Sequence, residues 1–161
     1  MTKKIEINGL LWDTENLIID GNEHFTHWDT ENLIIDGNEH FTHNEALETS
    51  KKSGKRLPTK EEWKALIALG STWDSKRTGR WFGNDHKLKE KSKQSIFLPA
   101  AGYRANNSSS YGGVGTNGYY WSSSINGTSA YYSYFYSTNV LPGNTNGGRA
   151  NGFSVRCVSE L

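Results

Sequence analysis

An α+β fold is expected from three observations: two short helical patterns within residues 44–69, loss of helical periodicity after Gly70, and a run of short alternating segments from there to the end. Those later segments are separated by Gly, Asn and Ser, which marks them as short strands joined by long loops. A chain of 161 residues suits one domain with a single core. Hydrophobic residues make up only 34%, yet six Trp, eight Tyr and six Phe supply large apolar surfaces, so aromatic rings should dominate the interior.

Residues 12–27 (WDTENLIIDGNEHFTH) recur without change as residues 28–43. Two short units are too few for a solenoid, which needs at least three stacked repeats to bury a core. Each copy reads as a short strand, Asn-Leu-Ile-Ile, closed by the turn signal Asp-Gly-Asn. The second copy leads directly into the first helix and is expected to be the integral one. The first would then be an extra N-terminal hairpin at a sheet edge. The division that follows is 1–27 as N-terminal strand and duplicated segment, and 28–161 as the folded domain.

Residues 44–54 (NEALETSKKSG) carry a polar cap candidate, acids early, lysines late and a terminal glycine, the pattern of a short helix. Thr59 ahead of Lys60, with Glu62 three positions on, forms a capping box. Trp63, Leu66, Ile67 and Leu69 then make the apolar stripe of a second helix ending at Gly70. Strands are expected at 95–99, 119–123, 130–137 and 152–158.

The balance of 18 basic against 17 acidic side chains provides no field to hold a nucleic-acid backbone. The basic stretch 87–93 contains Glu90 and no aromatic residue, and reads as a solvated loop. No apolar run approaches the roughly 20 residues that span a bilayer, so membrane insertion is not expected. The opening MTKKIEIN has no apolar stretch behind its lysines, so no secretory signal is visible, and either synthesis in the cytoplasm or prior removal of a signal is expected. Cys157 is the only cysteine, which excludes an internal disulfide and suggests a buried structural thiol without a nucleophile's surroundings. The pairs His24/His27 and His40/His43 have metal-ligand types, but duplication alone explains their number, and neither a metal nor another cofactor is expected.

Every tyrosine lies between positions 103 and 151, a stretch rich in Asn, Ser, Gly and Thr that contains no acid and no lysine. Within 130–137 (AYYSYFYS), strand alternation that turns Phe135 inward turns Tyr132, Tyr134 and Tyr136 outward. Tyrosine gives large rigid contact area at low entropic cost, and Ser, Gly and Asn give adaptable hydrogen bonds, so this composition points to recognition.

Three blocks occur in order: RLPTKEEW at 56–63, GYYWSSS at 118–124 and GFSVRCV at 152–158, with GRWFG at 79–83 and LPAAGYR at 98–104 between them. Together they resemble the C-type lectin fold of the formylglycine-generating-enzyme type, and more narrowly the variable proteins of diversity-generating retroelements and related paralogous domains of gut Bacteroidetes. The resemblance implies two helices packed on short antiparallel sheets with long loops, and a variable region at about 103–151. In such systems adenine-directed rewriting turns Asn codons into a restricted set including Asn, Ser, Thr, Tyr, Gly, Asp and Ala, and all of these but Asp occur there. It implies a non-catalytic ligand-binding protein whose exposed positions are Asn106, Ser110, Tyr111, Asn117 and Tyr119 on one side of the tyrosine strand. On the other side stand Ile125, Asn126, Asn139, Asn144, Asn146 and Arg149. Tyr132, Tyr134 and Tyr136 lie between them, and Trp121, Phe153, Val155 and Arg156 form the constant frame.

The partner so implied is a protein or glycan receptor on a cell surface, met from a phage virion or from the bacterial surface or extracellular space. Oligomeric state stays open, and display in several copies, as a homo-oligomer or on a phage particle, would suit a face of moderate affinity. The alternative is a bacterial surface or secreted domain of fixed specificity. Formylglycine generation itself needs a cysteine pair, which this chain lacks. Calcium-dependent sugar binding needs oxygen ligands beside a proline, and no carboxylate or amide precedes Pro58, Pro99 or Pro142.

Overall fold

A computed structural model describes residues 4–7, 10–13, 18–21, 24–92, 94–106, 108–141, 143 and 145–160, with side chains described between 28 and 159. Four strands come first: β1 (Lys4–Ile7), β2 (Leu10–Asp13), β3 (Ile18–Gly21) and β4 (His24–Trp28). Helices α1 (His43–Lys52) and α2 (Lys60–Ala68) follow. The rest is β5 (Ser71–Asp74), β6 (Gly79–Phe82), β7 (Ile96–Pro99), β8 (Tyr103–Arg104), β9 (Tyr111–Gly112), β10 (Asn117–Asn126), β11 (Ser129–Tyr136), β12 (Asn139–Val140), β13 (Thr145–Gly148) and β14 (Val158–Glu160).

This architecture is mostly β and corrects the expected α+β C-type lectin fold. Fourteen strands among the described residues build five small antiparallel sheets: β1-β2, β14-β4-β3, β5-β6-β7, β8-β9, and β10-β11 with β12 and β13 both on the far edge of β11. Against them stand helices of only ten and nine residues. Strands do not wait for the helices to end either, since β14 closes the chain by pairing with β4 ahead of α1. Many strands have two to four residues, too short to show an alternating pattern, so sequence periodicity underweights them.

Both helices begin with a full capping box. Thr42 and Glu45 cap α1, whose first residue is His43, and Thr59 and Glu62 cap α2. Glu62 also takes a forked pair of bonds from Arg56 at 2.6 and 2.9 Å, which joins the chain before α2 to its first turn.

Among the described residues the interior holds two clusters, where the sequence suggested one core. The first gathers Trp28, Trp63, Leu66, Phe82, Ile96, Leu98, Tyr120 and Phe135, and the second Phe41, Ala46, Leu57, Trp121, Ala130, Phe153, Val155 and Cys157. The β10-β11 pair lies between them. Alternation sends Tyr120 and Phe135 into the first cluster, and Trp121 and Ala130 into the second. Gly118 stands opposite Phe135, where the lack of a side chain leaves room for the ring.

The two copies of the duplicated segment adopt different structures. In the first, Ile18↔His27 through Gly21↔His24 form the β3-β4 hairpin. In the second, Ile35 and Asn38 exchange backbone bonds of 3.1 and 2.8 Å around Asp36 (φ 51°) and Gly37 (φ 81°), the two left-handed positions of a type I′ turn. The second copy also supplies core residues Trp28 and Phe41. Phe41 exchanges backbone bonds with Phe153, and Asn32 accepts two bonds from the buried Arg156. Arg156 is satisfied by Asn32 and the carbonyls of Asp29 and Phe97.

Candidate ligand-binding face

Strands β10 and β11 place the tyrosines in register. Tyr119 lies opposite Tyr134, Trp121 opposite Tyr132, and Asn117 opposite Tyr136. Side chains opposite one another share a face, so these six residues lie on one side of the sheet. Phe135 and Ser133 point the other way and are fully buried. Tyr119, Tyr132, Tyr134 and Tyr136 are half-buried, with rings packed on one another and on a closed floor.

Trp121 and Phe153 make that floor, with centroids 4.3 Å apart. Tyr119 stacks on Phe153 at 5.0 Å and 24°. From Tyr119 a row of rings runs outward, to Tyr103 at 5.1 Å on one side and to Tyr134 at 4.7 Å on the other, and from Tyr134 to Tyr136 at 5.7 Å. Tyr132 packs on Phe153 at 4.7 Å and edge-on to Trp121. Such contacts hold the rings in fixed orientations, which lowers the entropy to be lost when a ligand docks.

Asn117 donates from Nδ2 to the Tyr134 hydroxyl at 2.7 Å, and its own Oδ1 accepts from Thr116 Oγ1 at 2.6 Å. Beside this chain is an open groove of about 460 Å³ lined by Thr116, Asn117, Tyr134, Tyr136, Ser137 and Leu141. None of these side chains carries a formal charge. Burial, reinforced by the neighbouring phenol of Tyr134, pushes the Tyr119 hydroxyl well above its ordinary value, and burial also raises that of Tyr132. Both phenols are therefore neutral donors and acceptors at physiological pH.

The remaining expected positions are distributed differently. Asn139 pairs with Tyr136 and continues the face at the groove end, whereas Asn146 pairs with Tyr131 and so lies on the opposite side of the sheet. Ile125 is 57% exposed, and with Asn126 it stands at the far end of the β10-β11 hairpin. Asn106 and Ser110 lie between β8 and β9, and Tyr111 opens β9, where it leans edge-on against His40. Arg149 reaches Asn44 Oδ1 at 2.8 Å and ties this region to the start of α1. Asn144 lies outside the described residues. The sequence reading missed Tyr103, Thr116, Ser137 and Leu141. Tyr103 shared the aromatic bias of its segment, but Leu141 carried no signal of its own.

The frame beneath is buried: Trp121, Phe153, Val155 and Arg156 are all at most 3% exposed. Cys157 is enclosed in the second cluster, and burial, followed by the nearby Asp29 charge, pushes its thiol up to about 11. His40 and His43 each bond a backbone carbonyl at 2.8 Å, that of Ala101 and that of Ser122.

Residues 53–159 match the family described as the Fibrobacter succinogenes major domain. The matched stretch holds α2 and the whole tyrosine face, and it excludes the duplicated segment and all of α1. No curated protein and no solved structure matches the chain.

Proposed function

The chain belongs to the Fibrobacter succinogenes major domain family, and on that premise we propose that it is a non-catalytic protein that captures a cell-surface protein or glycan on its tyrosine face. The observation that carries this reading is the row Tyr103-Tyr119-Tyr134-Tyr136, uncharged and half-open, resting on a closed Trp121-Phe153 floor. A rigid aromatic platform edged by amide and hydroxyl groups matches the make-up of recognition surfaces. The enclosed thiol of Cys157 supports a role without covalent catalysis.

In the narrower form of this proposal, residues 103–151 are the diversified region of a retroelement variable protein, displayed on a phage particle or a bacterial surface. The concentration of Asn, Ser, Tyr, Gly and Thr in that stretch supports it. A second reading, fixed specificity, is favoured by two ties: Asn117 is bonded to Tyr134, and Arg149 to Asn44, so exchange at either position would disturb the frame.

Two experiments test these readings. Labelled chain is applied to a panel of intact bacterial cells and to their extracted surface proteins and glycans, in EDTA. Saturable capture is expected to persist in EDTA, and no capture on any of them counts against the binding role. Sequencing the flanking DNA separates the two forms: a reverse transcriptase and an adenine-rich template copy accompany a diversified gene, and their absence leaves fixed specificity.

A further inference from the structure

Two hairpins lead into identical sequences. β1 and β2 pair from Lys4↔Asp13 to Ile7↔Leu10 across Asn8-Gly9, and β2 enters the first copy at Trp12. β3 and β4 pair from Ile18↔His27 to Gly21↔His24, and β4 enters the second copy at Trp28. In the register described, the second hairpin pairs with β14, through Val158↔Trp28, Ser159↔His27 and Glu160↔Thr26.

The second copy is held by specific contacts. Trp28 is fully buried, edge-on to Trp63 at 4.8 Å. Asn32 bonds Arg156 and the Tyr120 hydroxyl, Leu33 bonds the Val155 carbonyl, and Phe41 bonds Phe153 and accepts from the Trp121 indole. Each of these residue types also stands sixteen positions earlier, as Trp12, Asn16, Leu17 and Phe25.

We propose that the chain has a second register, in which β1-β2 replaces β3-β4 beside β14 and residues 12–25 replace residues 28–41. Residues 26–41 are then looped out ahead of Thr42, which keeps its place as the α1 cap. Identical side chains make identical contacts in the slot, so packing within it does not discriminate between the two registers; the strand beside α2 changes from β3 to β1, with Glu6 in the place of Ile18. The three-stranded sheet survives, with Leu10 and Leu11 opposite Glu160 and Ser159 in place of Thr26 and His27. Asn8-Gly9 is the residue pair most favoured in a two-residue hairpin connection, whereas β3 and β4 are joined by Asn22-Glu23. The second register gives up the β3-β4 pairing and closes one added loop, a cost that rises only with the logarithm of loop length. Each copy is thereby a spare for the other, and damage to one shifts the chain to the register that uses the intact copy.

Removing residues 12–27 joins Leu11 to Trp28 and tests the idea, because this single-copy chain must fold with β1-β2 in the slot. Urea unfolding is then followed for Trp28→Ala in the single-copy chain, and for Trp28→Ala, Trp12→Ala and the double variant in the full chain. The expected result is a folded single-copy chain in which Trp28→Ala lowers the midpoint strongly. In the full chain Trp28→Ala shows a small fraction of that shift, Trp12→Ala almost none, and the double variant recovers the full loss. Equal shifts for Trp28→Ala in the full and single-copy chains, large or small, overturn the proposal. So does failure of the unsubstituted single-copy chain to fold.

Discussion

Tyr119 lies stacked on Phe153, with ring centroids 5.0 Å apart and planes 24° from parallel. Phe153 therefore supports the exposed row from beneath while it packs on Trp121 inside the second cluster. Phe153→Ala should cost about 3–5 kcal/mol, the range for emptying a buried aromatic site. Urea denaturation measures this, and Phe153→Leu, which refills much of the volume, should recover most of the loss.

The tyrosines of β11 divide between support and contact. Tyr132 packs on both Phe153 and Trp121, whereas Tyr136 meets Tyr134 at the edge of the open groove. Tyr132→Ala is expected to destabilise the domain by about 2 kcal/mol and Tyr136→Ala by less than about 1 kcal/mol. Equal denaturation midpoints for the two variants would contradict this division. The result also separates rings that can be removed cleanly in a binding assay from one that cannot.

These elements show how far the sequence could be read. The start of α2 was legible because Thr59 and Glu62 sit at capping-box spacing, whereas α1 begins at His43 behind Thr42, ahead of the expected start at Asn44; Phe135 was separable from its flanking tyrosines by alternation. β5 and β6 were not legible: each has four residues, and the turn between them runs through Thr78 at φ 59°, with no Asn-Gly or Asp-Gly pair to announce a hairpin. Asn146 was assigned to the tyrosine side because nothing in the sequence fixes the register of β13 on β11. The duplicated segments mark a stricter limit. Two identical strings cannot reveal different conformations, which here depend on whether β14 or Phe153 is the partner.

His43 introduces an acid sensitivity. Its Nε2–H donates to the Ser122 carbonyl at 2.8 Å, while Nδ1 is buried with no hydrogen-bond partner among the described residues. Burial lowers its pKa, the Ser122 carbonyl opposes that shift, and nearby Arg149 adds to it. A histidine whose folded pKa is lowered disfavours the folded state once the unfolded chain takes up a proton. Stability should therefore decline as pH falls below about 6.5. Thermal midpoints between pH 7.5 and 5 measure the decline, and His43→Gln should flatten it.

Cys157 should be inert in the native protein. With its thiol pushed up to about 11 and its side chain enclosed, iodoacetamide at pH 8 is expected to leave it unmodified until urea unfolds the chain. Mass spectrometry reads this directly, and rapid labelling without denaturant would point to an accessible, activated thiol.

The most direct test compares the capture of cells by the labelled chain with capture by a Tyr134→Ala, Tyr136→Ala double variant, with urea midpoints measured alongside. Both rings border the open groove, and neither is part of the closed floor. Recognition by this face predicts that the variant keeps a cooperative unfolding transition and loses capture by tenfold or more, about 1.4 kcal/mol or above. A folded variant that captures the same cells as strongly as the parent chain would contradict it.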